Sequence, residues 1–395
     1  MNNINNGTIV YIGGFELPDK NAAAHRVISN GKLLKSLGYD VVFCGVSREN
    51  QNRSLNNFKK VFDFESFSRS YPTNFKQWLS YFTDNNDYEQ LIEKYSDVKA
   101  VICYNMPSWP LYKLGLFCKK RNIKIFSDCT EWYKGSVKGN LVVGYIKRVD
   151  SFLRMYYVQK RLDGIIAISE YLNQFYSKKG VKTIKAPPLI DYTDEKWKTT
   201  IKEPHEIIEI VYAGGAFSLK DTYVKDRLDL VVQSLSHLKT KGFLFYFKVV
   251  GCTLADFRTF YPELIKDLDI LQDDIRFFGR VSHQEAISLV KNSDYSIFLR
   301  DESVVTKAGF PTKFVESITS GIPVLTNNNS NVVDYLIDGK NGFLIDADSL
   351  DTINRSMMQA LSVEPVQLRQ MKIDTYKSQL FDYRKFTSEF EKFLD

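Results

Sequence analysis

Residues 307–324 place a glycine, a proline, a lysine and a glutamate in an order that suits anion chemistry. The run is Lys307-Ala308-Gly309-Phe310-Pro311-Thr312-Lys313-Phe314-Val315-Glu316-Ser317-Ile318, followed by Ser320-Gly321-Ile322-Pro323-Val324. Gly309 and Phe310 read as a tight loop feeding a helix, with Pro311 at the first helical position, where a missing N–H costs nothing. The free N–H groups from Thr312 and Lys313 onward point out of the helix start. Such an end carries about half a positive charge and binds phosphate. Lys313 adds a full charge in the same turn. Glu316 lies one turn deeper, behind the anion, where a carboxylate suits a pair of sugar hydroxyls better than a phosphate. Together these parts describe a nucleoside-diphosphate pocket. The alternative is an ordinary capped helix packing against a core.

Further candidates stand where strands end. Asp128-Cys129-Thr130-Glu131-Trp132-Tyr133 follows a buried strand. Asp128 and Glu131 suit hydroxyl recognition there, and Trp132 suits stacking on the C–H face of a sugar; the alternative is a polar loop with a helix cap. Asn105, at the end of the preceding strand, invites the same two readings. His25 and Arg26, near the start of the first helix, are expected on the same side, although a lone histidine is more often structural. Glu170 serves equally as substrate contact or as helix cap. His283 is expected only to start a helix capped by Ser282. The D-x-D pairs at Asp267–Asp269 and Asp346–Asp348 end no strand of a nucleotide fold and read as solvated acids.

These residues need elements to hold them. A strand at Thr8–Ile12, the turn at Gly13-Gly14 and a helix across Ala22–Leu37 open the chain. Strands at Val41–Gly45, Ala100–Tyr104, Ile123–Ser127 and Gly164–Ile168 follow, separated by helical patterns, one of them near Val142–Arg161. Residues 48–98 show weak periodicity and suggest several short helices. Lys185-Ala186-Pro187-Pro188-Leu189 and the charged run to Glu203 read as a break, since paired prolines stop regular structure. The pattern restarts with strand Ile207–Ala213, the turn Gly214-Gly215 and helix Arg227–Lys239. A helix at Leu254–Leu268 and the key helix Thr312–Ser320 come later. Alternating apolar strands and helices predict parallel sheets covered on both faces. The expected fold class is α/β: two Rossmann-like domains facing across a cleft, with a C-terminal helix crossing back to the first. The expected boundaries are 1–190, a linker at 191–204, and 205–379, with 380–395 packing on the first domain. Ligands of such sheets bind at the carboxyl ends of the strands.

The totals exclude several classes. The chain has 395 residues, 44% hydrophobic and 25% charged, as in a soluble globular protein. No apolar run reaches the ~20 residues needed to span a bilayer. The polar stretch Met1–Thr8 is not expected to act as a secretory signal. Five scattered cysteines and four distant histidines argue against a disulfide framework and a histidine-built metal site. A net charge of +6 is too diffuse to announce nucleic-acid binding. The stretch 134–161 mixes lysines and arginines with aromatic and aliphatic residues, so its helix suits either a membrane interface or a solvated basic face.

With Gly309–Glu316 and Ser320–Val324 in hand, the chain resembles a GT-B glycosyltransferase of the retaining, metal-independent family-four kind (glycosyl transferases group 1). Supporting pieces are Gly13-Gly14, Ile166–Leu172, Tyr212–Gly215 with Lys220-Asp221, Phe278–Val281 before His283, and Asp334–Leu344. The resemblance implies a UDP- or GDP-linked sugar donor held mainly by the second domain. Glu316 would bond the ribose hydroxyls, and the backbone at Thr312 and Lys313 the distal phosphate, with Gly309 and Phe310 also in the donor site. Lys220 and Lys313 would neutralise the leaving diphosphate, with Arg300 as a further cation. The Arg280–Val281 backbone would edge the base, while Gly13, Gly14, Gly214 and Gly215 would let the backbone approach the donor. Asp128, Glu131, His25, Arg26, Asn105, Trp132 and Glu170 fall on the acceptor side.

Two departures stand out. Ala308 occupies the place of a customary glutamate, and no arginine accompanies the Gly214-Gly215 turn. No cofactor and no metal is implied. The resemblance implies a hexosyltransferase of cell-surface polysaccharide (capsule or exopolysaccharide) biosynthesis, acting on a saccharide or lipid-linked saccharide. It would be cytoplasmic or peripheral on the inner face of the membrane, with no nucleic-acid partner. A non-catalytic nucleotide- or glycan-binding scaffold and a GT-B nucleotide-sugar epimerase are the alternatives. A dinucleotide oxidoreductase is disfavoured, because neither opening strand is followed by G-x-G-x-x-G.

Overall fold

The computed structural model describes residues 5–18, 20–48, 58–132, 141–219 and 223–395. It divides into two compact units. The first comprises Met1–Ile190 with Ala308–Phe310 and Asp382–Asp395, the second Asp191–Lys307 with Pro311–Phe381.

The first unit is built on an eight-stranded sheet in the order β3-β4-β2-β1-β5-β6-β7-β8. Its strands are β1 (Thr8–Gly13), β2 (Asp40–Ser47), β3 (Lys59–Val61), β4 (Phe64–Ser70), β5 (Val98–Tyr104), β6 (Lys124–Cys129), β7 (Gly164–Ala167) and β8 (Thr183–Lys185). All neighbours pair in parallel except the edge strand β3, which runs antiparallel to β4. Every residue of β1 is buried, as expected of a strand covered on both faces. Its side chains alternate between two cores. Ile9 and Tyr11 join Phe43, Phe126 and Ile166 on one face; Val10 and Ile12 join Cys44, Val101 and Leu111 on the other.

The end of the chain completes the first of these cores. A 3-10 turn, Tyr383–Phe386, leads into helix Thr387–Leu394. Phe390, Phe393 and Leu394 are buried there, with the Phe393 ring 4.9 Å from that of Phe126. Gly164 permits this docking, since a Cβ on it would lie 2.7 Å from the Phe393 ring.

Four expectations need correction. Residues 48–98, expected as short helices, contain strands β3 and β4 as well as helices Phe75–Thr83 and Asn86–Glu93. Only Phe64 and Phe67 are apolar in β4, and the Glu, Ser and Arg residues around them dilute its pattern. The helix expected to Arg161 is α-helical only over Leu141–Leu153, then continues as a π-helical turn and a 3-10 turn. The helix expected at Leu254–Leu268 is broken at Pro262 into Leu254–Phe260 and Ile265–Leu271 with a 3-10 turn between. The expected break at Lys185 begins later, because Thr183–Lys185 pairs with β7.

The second unit holds a six-stranded parallel sheet. Its strands are β9 (Ile208–Ala213), β12 (Phe245–Val250), β13 (Ile275–Gly279), β14 (Tyr295–Phe298), β15 (Val324–Thr326) and β16 (Gly342–Leu344), in the order β13-β12-β9-β14-β15-β16. A short hairpin, β10 (Phe217–Ser218) with β11 (Tyr223–Val224), lies between β9 and helix Leu228–Thr240. The strand order reverses at β9, with β12 on one side and β14 on the other. That is the switch point at which such sheets receive ligands.

Candidate functional site

Three elements of the second unit converge at that switch point. Tyr212 comes from the end of β9, Arg300 from just beyond β14, and Lys313 from the first turn of helix Thr312–Thr319. All three meet Asp226, in the turn before helix Leu228–Thr240. Arg300 Nε donates to Asp226 Oδ1 at 2.7 Å and the Tyr212 hydroxyl to Oδ2 at 2.6 Å, while Lys313 Nζ also donates to Oδ2. Asp226 is 0% exposed. Lys313 and Arg300, opposed by burial, hold its carboxyl well below the usual carboxylate range. Burial, opposed by Asp226 and reinforced by Arg300 and Lys225, brings Lys313 down to about 8. Its ammonium also lies 4.0 Å from the centre of the Tyr212 ring. A Cβ on Gly214 would sit 2.9 Å from Lys313 Nζ, so this glycine leaves room for the ammonium.

Lys313 and Arg300, expected as donor-side cations, do not stand alone: both are buried and share one carboxylate. Sequence reading missed Asp226 altogether and gave Tyr212 no role beyond its place before the Gly214-Gly215 turn. It also passed over Lys225, exposed and adjacent to Asp226. The signal available was the charged triplet Lys225-Asp226-Arg227 immediately before an apolar helix. Lys220, expected to meet the diphosphate, lies outside the described residues, as do Asp221 and the start of the basic stretch through residue 140.

The helix start is otherwise as expected in kind, with Pro311 as its N-cap rather than its first helical residue. Proline offers no capping side chain, and the first N–H groups of a helix have no intrahelical acceptor. Thr312 is exposed there. Glu316, half-buried one turn on, pairs with His283 Nε2 at 3.2 Å. His283 therefore does more than start its helix, although Ser282 does cap it, accepting from Glu285 N–H at 3.2 Å. Arg280 is exposed and Val281 half-buried in the turn before that helix. Around Gly215 the space where a side chain would stand is open. Gly309 and Phe310 group with the first unit, where the carbonyl of buried Ala308 accepts from Ser169 Oγ at 2.7 Å.

In the first unit, Asp128, expected to read hydroxyls, and Arg26, expected on the acceptor side, instead form a buried ion pair. Arg26 Nε and Nη2 donate to the Asp128 carboxylate, the latter at 2.7 Å, and the Tyr11 hydroxyl donates to it at 2.5 Å. Arg26 Nη1 also holds the carbonyls of Ala186 and Pro187 at 2.9 and 3.1 Å. Asp128 is 0% exposed and cannot meet a substrate hydroxyl.

Glu131 is exposed beyond the strand, and Trp132 packs edge-on against the rings of Tyr156, Tyr171 and Phe175. Asn105 has a left-handed backbone, φ 45°, and its side chain braces Thr130, Nδ2 donating to Oγ1 at 2.7 Å. Glu170 is the first residue of a helix capped by Ser169 and pairs with Lys185 at 3.2 Å. His25 is half-buried next to Arg26. Gly13 permits close packing, since a Cβ there would lie 2.4 Å from the Tyr104 carbonyl. Gly14 faces the Tyr81 hydroxyl with room to spare. Among the described residues no group of three His, Cys, Asp or Glu could hold a metal ion.

Residues 217–378 match the family model for glycosyl transferases group 1. An uncharacterized glycosyltransferase of Methanocaldococcus jannaschii is 23% identical over 251 residues, 60% of this chain. The chain spans 59% of the length of that curated relative. Among solved structures, a glycosyltransferase from Rickettsia africae aligns with a TM-score of 0.69 at 16% identity, covering 98% of this chain and 97% of its own. An Anabaena protein solved in complex with UDP-glucose aligns with a TM-score of 0.63 at 12% identity, covering 98% and 99%. At such identities the likeness establishes the fold, and the fold is GT-B.

Proposed function

We propose, from the match of residues 217–378 to the glycosyl transferases group 1 model and from the GT-B fold, that the protein transfers a sugar from a nucleotide-diphosphate sugar to a saccharide acceptor. The observation that carries the reading is the convergence of Lys313 and Arg300 beside an uncapped helix start, at the switch point of the second sheet. Glycosyl transfer breaks the bond between the anomeric carbon and a β-phosphate oxygen, and charge grows on the departing diphosphate. Fixed cations and aimed N–H groups stabilise that charge as an oxyanion hole does. Lys313, Arg300 and the backbone at Thr312 would meet it without requiring a metal, with the exposed Lys225 as a further cation and Lys220 as the one the resemblance implies. Glu316, steadied by His283, would take the ribose hydroxyls. The acceptor oxygen would bond to the anomeric carbon on the face the diphosphate leaves, its proton passing to a phosphate oxygen, so that configuration is retained. The Anabaena neighbour, solved with UDP-glucose, favours UDP over GDP as the donor's nucleotide.

The acceptor is proposed to be a membrane-borne saccharide of surface-polysaccharide assembly. Helix Leu141–Leu153 exposes Tyr145, Val149, Phe152 and Leu153, and helix Ser108–Lys120 exposes Trp109, Tyr112 and Leu116. Lys113, Lys119, Lys147 and Arg148 flank these apolar stripes, the pattern of a face lying in an anionic lipid interface. No helix among the described residues is long and apolar enough to cross a membrane.

Incubation with a panel of UDP- and GDP-sugars and saccharide acceptors, in the presence of a chelator, should release nucleoside diphosphate from one donor. Binding of UDP without release from any donor would instead support a non-catalytic scaffold. Ala308, which lacks the carboxylate usual at its position, favours that second reading.

A further inference from the structure

Asp226 is a full negative charge inside a site that is meant to receive one. Its carboxylate is completely buried, and its oxygens are taken by Arg300 at 2.7 Å, Tyr212 at 2.6 Å and Lys313. A buried acid that only balanced charge would need one cation; this one holds two, so the cluster keeps a net positive charge. Asp226 uses a single donor of each partner, whereas a guanidinium has five N–H donors and an ammonium three. The remaining donors keep their directions because the shared acceptor fixes both head groups. Gly214, without a side chain, leaves room for the Lys313 ammonium beside it.

We propose that Asp226 is a positioning residue of the donor site: by gripping Arg300 and Lys313 together it aims both cations at the carboxyl edge of the second sheet, where the diphosphate of a nucleotide sugar is received. The assignment rests on the donor-site reading above and goes beyond it in naming what preorganises the cations. Without Asp226, Lys313 faces Arg300 and Lys225 with Tyr212 beside it and no acid to hold its proton. Two desolvated cations repel, and the one able to lose a proton does so. Lys313 would then lose both its charge and its aim.

The test is UDP binding by calorimetry as a function of pH, with the full chain and three variants. In the wild type, binding should weaken as pH rises through about 8, where Lys313 loses its proton. Asp226→Asn should move that midpoint down by about one pH unit or more and weaken binding at pH 8 about fivefold or more, since the protonated fraction there falls from about one half to about one eleventh. Asp226→Glu should restore most of the wild-type profile. Arg300→Met, which removes a repelling neighbour, should move the midpoint up. Opposite shifts cannot come from general loosening of the fold, and the glutamate and methionine variants carry the test if the asparagine variant does not fold. Wild-type affinity and profile in Asp226→Asn, or shifts of the same sign in both charge-removing variants, would overturn the proposal while the donor site stands. Failure of the wild-type chain to bind either UDP or GDP would overturn the donor site and this assignment with it.

Discussion

Arg26 and Asp128 are 102 residues apart in sequence and joined in the buried interior of the first unit. Their types alone suggested substrate recognition, because an acid after a strand and an arginine near a helix start suit a ligand edge. Contact over such a span is not written in local spacing, and the same holds for Lys313 and Asp226, 87 residues apart. Lys313 was legible as a cation in a helix's first turn. Its acid partner was not, and neither was the His283–Glu316 pair. The consequence for Arg26 is structural. Arg26→Ala would strand a buried carboxylate and release the carbonyls of Ala186 and Pro187, a loss of about 3–5 kcal/mol. Urea unfolding should show that loss, while UDP binding by the folded fraction stays at wild-type strength. Unchanged stability with lost nucleotide binding would return this pair to the functional site.

Elements were easier to read than partners. Strands buried on both faces, such as β1, announce themselves by unbroken apolar runs, and Gly-Gly turns mark where they end. Strand β4 was hidden because Ser66, Ser68 and Ser70 interrupt its apolar pattern. The exposed stripe on helix Ser108–Lys120 was hidden for a different reason. Trp109, Tyr112 and Leu116 follow helical spacing, which normally signals a buried face, yet Trp109 remains 51% exposed. With Tyr145 and Phe152 on helix Leu141–Leu153, it gives these two helices apolar surface ringed by cations. Sedimentation with vesicles should therefore show binding that increases with anionic lipid, each nearby cation adding about 1 kcal/mol. The double variant Trp109→Glu, Phe152→Glu should abolish it. Retained binding in that variant, or equal binding to neutral and anionic vesicles, would remove the membrane face from the account.

At the scale of the whole molecule, the twofold recurrence of strand, glycine turn and helix was enough to anticipate two Rossmann-like units. The return of the last helix to the first unit follows from Phe390, Phe393 and Leu394, whose apolar faces fill the core beside Phe126. The chemistry is less visible at this scale, because a GT-B fold supports many donors and acceptors, and function resides in the site rather than the architecture. The central claim is that the switch point of the second unit holds a nucleoside diphosphate through protein cations and a helix start. Calorimetric titration of UDP into the full chain in a chelator-containing buffer tests it most directly. The account predicts saturable binding at one site, lost at least tenfold in the folded fraction of Lys313→Met, in which Arg300 still faces the buried Asp226. Absence of binding by the wild-type chain, or wild-type affinity in that variant, would contradict it.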